Sequence, residues 1–175
     1  MAYYIIGLGN PGEEYCGTRH NVGRELAEYL RDKSKISGAK FFIPDEFMNN
    51  SGRAVAKIMI GKKTFHLLII HDDLDLPIGS FKLSFNKGSG GHRGVASIIK
   101  ALKTEAFMRL RVGICPCTPK GSLRKPVGDD KIVAFILGRF KKPEQKIVLS
   151  MRKKIIKALN VLVLEGKEKA MSLQY

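Results

Sequence analysis

The chain runs from a short apolar segment, Tyr3-Tyr4-Ile5-Ile6, through residues 7–23, GLGNPGEEYCGTRHNVG, directly into a helical period. The apolar run has the character of a buried strand, and Val22, Leu26, Tyr29 and Leu30 recur on one helix face. His20 and Asn21 therefore stand at, or just before, the N-terminus of that helix. The glycines and Pro11 demand a tight turn between strand and helix, which brings Asn10 and His20 to the carboxyl end of the strand. In open α/β sheets ligands bind at that edge. The segment GLGNPG also fits G-x-G-x-x-G, the dinucleotide fingerprint, but that fingerprint needs its third glycine to open a helix at once and an acidic residue closing a second strand about 20 residues on. Pro11, two glutamates and a further loop intervene, and no such strand ends in an acid.

The rest of the chain alternates in the same way. Residues 40–43 read as a short strand stopped by Pro44, and FMNNSGRAVAKIM as a helix with Val55, Ile58 and Met59 on its apolar side. Residues 67–70 are a continuous apolar strand of the kind buried on both faces. Residues 81–85 and 109–114 read as further strands, and NKGSGGHRG as a glycine-rich loop opening a helix with Val95, Ile98, Ile99 and Leu102. Residues 115–131 have the composition of a surface loop, and 132–137 fit helix or strand. Pro143 and Glu144 suit the first turn of a final helix whose stripe is Ile147, Met151, Ile155, Leu159 and Leu162. Strands alternating with helices predict a single three-layer α/β/α domain, residues 1–175, around a mixed, largely parallel twisted sheet.

Composition narrows the function. No apolar run reaches the roughly 20 residues of a membrane span, and the N-terminus lacks a signal-peptide layout. Cys16, Cys115 and Cys117 are an odd set that favours reduced, intracellular thiols, and a Cys-x-Cys pair without a second ligand pair argues against zinc. Thirty-one Lys and Arg against sixteen acids leave a net charge of +15, which points to a polyanionic partner.

The residues fit for chemistry collect where strands end or helices begin: Asn10 and His20, then Asn49, then Asp72 and His92. A His oriented by an Asp is a general base with its tautomer fixed, and asparagine N–H groups suit a developing oxyanion or a held water. No Ser or Cys stands in a nucleophile elbow, so attack by an activated water fits better than an acyl-enzyme. His71, Asp72, Asp73 and Asp75 offer a magnesium alternative, Asn49 a helix cap, and the glycine-rich loop either a phosphate cradle or a plain turn.

Together GLGNPGEEYCGTRHNVG, FMNNSG, HDDLDLPIG and GSGGHRG resemble bacterial peptidyl-tRNA hydrolases, and the similarity runs from about residue 3 to the last helix. The resemblance implies a monomeric, cytoplasmic esterase, free of metal and cofactor, that cleaves the bond between a peptide and the 3′ ribose of its tRNA and so recycles tRNA from stalled ribosomes. It implies His20 as general base oriented by Asp72, with Asn10 and Asn49 positioning substrate and stabilising the tetrahedral intermediate. Tyr15, Asn21, Met48 and Arg93 would line the cleft, His92 would sit at its mouth, and Lys82, Lys87, Arg109 and Arg111 would grip acceptor-stem phosphates. Arg93 stands where the family usually has Asn, the family often has a phosphate-clamping lysine near Ser84, for which Lys82 or Lys87 would have to substitute, and residues 33–44 form a shorter segment than usual. Plant organelle group II intron splicing factors also resemble the family and are RNA-binding modules without turnover. Retention of His20, Asp72, Asn10 and Asn49 favours the enzyme.

Overall fold

Two strands buried on both faces organise the molecule, which a computed structural model describes over residues 2–174. Ile5 and Ile6 of β1 (Tyr3–Gly7) and Leu67, Leu68, Ile69 and Ile70 of β3 (Leu67–Pro77) are all fully buried. Side chains alternate along a strand, so each strand supplies both faces of the sheet. Ile5, Leu68 and Ile70 enter one core with Val22, Leu26, Ile155 and Leu159, whereas Ile6, Leu67 and Ile69 enter the other with Val55, Val95 and Ile98.

The sheet has five strands in the order β2-β1-β3-β5-β4, with β2 at Ala39–Phe42, β4 at Phe81–Phe85 and β5 at Met108–Cys115. β2, β1, β3 and β5 run parallel, and β4 is antiparallel to β5. The helices α1 (Val22–Lys33), α6 (Arg152–Glu165) and α7 (Lys167–Ser172) cover one face, and α2 (Ser51–Ile58) and α3 (Arg93–Leu102) the other. This is the three-layer arrangement predicted from the alternation, and the short 33–44 segment still yields β2, paired from Tyr3 with Ala39 to Ile6 with Phe42.

Several elements differ from expectation. β3 does not stop at Ile70: its ladder with β5 continues through His71 and Asp72, so the HDDLD segment begins inside the sheet. The ambiguous residues 132–137 belong to a helix, α4 (Asp129–Leu137), none of whose residues is buried. The expected single last helix is divided into α5 (Lys142–Ser150), α6 and α7. Met151, Ile155, Leu159 and Leu162 are buried as expected, but Ile147 on α5 is 41% exposed. No side chain caps α2; the Ser51 hydroxyl donates to Met48 O instead, so Asn49 has no capping role.

One glycine sets the junction between α1 and the sheet. A Cβ on Gly23 would lie 2.3 Å from Ile70 O, so α1 rests on β3 through a residue that has no side chain. That contact presses the start of α1 against β3 just before His71 and Asp72.

Candidate active site

His20 lies in a short 3-10 turn, Arg19–Asn21, that leads into α1, and Asp72 lies in β3 opposite Val112. The close approach at Gly23 brings them together: His20 Nδ1 is 2.8 Å from Asp72 Oδ1, with both side chains less than a tenth exposed. A carboxylate accepts, so His20 carries its proton on Nδ1, and its Nε2, without a partner among the described residues, is left for the cleft that His20 lines. His92 Nε2 reaches the same Asp72 oxygen at 2.9 Å. Burial alone would raise the Asp72 pKa, but the charges and hydrogen bonds of His20 and His92 outweigh it and hold the carboxyl well below the usual range.

His71 is the next residue along. Its ring is wholly buried, its Nδ1 donates to Asp72 O at 2.7 Å, and its Nε2 has no partner among the described residues. Burial, reinforced by neighbouring His92, pushes its pKa well below the ordinary histidine value.

Asn10 completes the group from the loop after β1. Its Oδ1 accepts from Met48 N–H at 2.8 Å, which fixes the amide so that its Nδ2 donors are left for the cleft. Asn49 is exposed, has no hydrogen-bond partner among the described residues, and faces the same space. These side chains line a cavity of about 770 Å³ whose walls also include Tyr15, Phe47 and Met48 on one side and Ile132, Val133 and Ile136 of α4 on another.

The donors do not suit a metal. Those of His20, Asp72 and His92 lie within 4.8 Å of one another, but His92 Nδ1 accepts from Val95 N–H, which keeps the proton on the Nε2 that a metal would need free. The magnesium alternative also lacks free ligands. Asp73 is held by Arg111 at 2.6 Å and Asp75 pairs with Lys125, so the HDDLD carboxylates face different partners.

The peptidyl-tRNA hydrolase family model matches residues 4–174. The chain belongs to the peptidyl-tRNA hydrolase family. Among curated relatives, a peptidyl-tRNA hydrolase of Aquifex aeolicus is 37% identical, with 89% of this chain and 86% of the relative covered. One of Citrifermentans bemidjiense is 36% identical over 98% of this chain and 97% of its own. The crystal structure of peptidyl-tRNA hydrolase from Acinetobacter baumannii superposes with a TM-score of 0.85 at 29% identity, covering 98% of this chain and 93% of that one.

The remaining residues expected from the family resemblance divide into two groups. Tyr15, Met48 and Arg93 line the cleft, and Tyr15 meets Phe47 edge-on at 6.2 Å. Lys82 and Lys87 are exposed, and Lys82 pairs across the ladder with half-buried Arg111. Two expectations need correction. Asn21 is 2% exposed and does not line the cleft, because both ends of its amide are taken up by the main chain of Asn10. Arg109 is 4% exposed, so it is not an open surface cation of the kind Lys82 and Lys87 present. His92 lines the cleft, as expected, with both its nitrogens engaged within the protein.

Sequence reasoning missed two contributors. The apolar side of α4 walls the cleft, and nothing in DDKIVAFIL distinguishes a cleft wall from a core helix. Arg19 anchors the turn that carries His20. Its guanidinium donates to Glu144 at 2.8 Å and to Gly138 O and Arg139 O, and it lies over the Phe135 ring at 4.3 Å. Its position beside His20 was the one available signal.

Proposed function

We propose that this chain hydrolyses peptidyl-tRNA by direct attack of water, with His20 as the general base. The observation that carries the reading is the His20–Asp72 contact, which leaves Nε2 facing a cleft lined by the Asn10 and Asn49 amides. Nε2 takes a proton from a bound water as its oxygen attacks the ester carbonyl, and Asp72 stabilises the imidazolium that forms. Asn10 Nδ2, oriented through Met48 N–H, and the amide of Asn49 donate to the oxygen that becomes negative. The tetrahedral intermediate then expels the ribose oxygen, which takes the proton back from His20. The peptide leaves as a carboxylic acid and the tRNA with its hydroxyl restored, so the atoms balance.

Tyr15, Met48 and Arg93 contact the substrate's 3′ end, and Lys82, Lys87 and Arg111 contact phosphates of the acceptor stem. The chain acts as one domain and one monomer, in the cytoplasm. The net charge of +15 supports a nucleic-acid partner, and no helix among the described residues is long and apolar enough to cross a membrane.

The test is release of N-acetyl amino acid from acetyl-aminoacyl-tRNA, with and without EDTA, by the native chain and by His20→Ala. EDTA-resistant release that falls by roughly 10²- to 10⁴-fold on substitution fits a general base. Tight tRNA binding without release establishes an RNA-binding module instead. Release that is sensitive to EDTA and survives loss of His20 moves the chemistry to a metal on the aspartates.

A further inference from the structure

The start of α3 decides which nitrogen of His92 carries the proton. His92 is the N-cap of that helix, and its Nδ1 accepts from Val95 N–H at 3.3 Å. An accepting nitrogen presents a lone pair, so the proton sits on Nε2, and Nε2 meets Asp72 Oδ1 at 2.9 Å. His20 Nδ1 meets the same oxygen at 2.8 Å. The two imidazoles stand 5.0 Å apart and tilted by 39°, with the His92 side chain only 7% exposed. The His71 ring then packs edge-on against His92 at 4.7 Å and closes the space behind it.

We propose that His92 is a positioning residue for Asp72: helix α3 fixes its tautomer, and its Nε2–H locks the carboxylate in the one orientation that holds His20. A carboxylate held by a single donor keeps freedom to rotate about its last bond. Two donors converging on one oxygen from different elements remove that freedom, and the element that supplies the second is itself set by a helix cap. The assignment rests on His20 being the base, and it gives His92, which also lines the cleft, a role that runs through Asp72.

Two substitutions separate the two ends of the ring. His92→Asn puts an acceptor where Nδ1 was, which keeps the cap but does not reach Asp72. His92→Gln puts an N–H donor where Nε2 was, which keeps the Asp72 contact but gives up the cap. Turnover of acetyl-aminoacyl-tRNA and the melting temperature are measured for both. For His92→Asn the expected result is a fall in kcat of roughly 10- to 100-fold, the scale of a misplaced catalytic group, at near-native melting temperature and with KM little changed. His92→Gln keeps the larger kcat despite a lower melting temperature. The reverse order, or native kcat in His92→Asn, overturns the proposal.

If both variants lose kcat alike, the Asp72→Asn background decides. A residue that acts through Asp72 has nothing further to lose there, so an undiminished second loss overturns the assignment. Imidazole nitrogen NMR of the native chain adds a readout independent of turnover. His92 must report Nε2–H, and an Nδ1–H tautomer sinks the proposal. Absence of any hydrolysis would instead count against the proposed function, while the nitrogen spectrum would still judge His92.

Discussion

The side-chain amide of Asn21 holds the main chain of Asn10 at both ends: Asn10 N–H donates to Asn21 Oδ1 and Asn21 Nδ2 donates to Asn10 O, each at 2.8 Å. Asn10 is thus fixed twice, its backbone by Asn21 and its side chain by Met48 N–H, and what remains free is its Nδ2 pair. Asn21→Ala leaves a buried N–H and C=O unpaired, which costs about 1–3 kcal/mol in urea unfolding. It also lowers kcat, because the loop that presents Asn10 loses its tie. Asn49→Ala is the contrast. Asn49 is exposed and without a hydrogen-bond partner among the described residues, so the same unfolding curve stays within about 0.5 kcal/mol while activity falls. A stability loss for Asn49→Ala equal to that of Asn21→Ala counts against this division of roles.

His71 gives the protein a pH-dependent stability of predictable sign. Its pKa in the folded chain lies well below the ordinary value, because the ring is buried and has His92 beside it. Below about pH 6.5 the unfolded chain therefore binds a proton that the folded chain refuses. The contribution is complete above the unfolded pKa and is lost as pH falls towards the folded one. The slope attributable to this residue is about 1.4 kcal/mol per pH unit. Unfolding free energies between pH 6.5 and 5, compared for the native chain and His71→Phe, should differ in slope by that amount. Parallel curves show that His71 does not carry the effect.

How far the fold could be read from sequence depended on burial. β1 and β3 are covered on both faces, which requires unbroken apolar runs, and those runs stand out in YYII and LLII. The His20 turn was legible because glycines and a proline leave few ways to connect strand to helix. Asp72 looked like the first residue of a loop, since polar side chains rarely continue a buried strand. It remains in the ladder because the cleft opens above that end of the sheet and His20 and His92 satisfy its carboxylate. No spacing rule links His92 to an aspartate twenty positions away, nor separates the role of Asn21 from that of Asn10. Those pairings are set by how β3, α1 and α3 pack, and they became visible only with the side chains in place.

Arg19 links the turn that carries His20 to the C-terminal helices. Its Nη2 meets Glu144 Oε2 at 2.8 Å, with the two side chains 7% and 16% exposed, and its Nη1 is 3.1 Å from Gly138 O and 3.0 Å from Arg139 O. Removing one partner of a buried pair costs more than the pair contributes, because the other charge is stranded. Arg19→Ala is expected to destabilise the protein by about 3–5 kcal/mol and to lower kcat through a loosened His20. Glu144→Gln retains an oxygen for the guanidinium and so loses less. Calorimetry on the two variants checks the order, and a larger loss in Glu144→Gln contradicts it.

The basic surface is expected to make tRNA binding depend on salt, with the exposed cations carrying that dependence. Each phosphate neutralised by a side chain at the surface releases counterions, so the slope of log K against log salt counts such contacts at about 0.9 per phosphate on a duplex stem. Lys82 and Lys87 are exposed on and just after β4, and Lys82→Ala and Lys87→Ala should each reduce the slope by about one. Arg109, one strand inward on β5, is 4% exposed, and burial followed by the charge of Arg111 pulls its pKa below the usual guanidinium value. A cation with so little exposed surface has little from which to displace counterions of tRNA. Arg109→Met is therefore expected to leave the salt slope unchanged, and a loss of about one unit would show that Arg109 reaches the surface when tRNA binds.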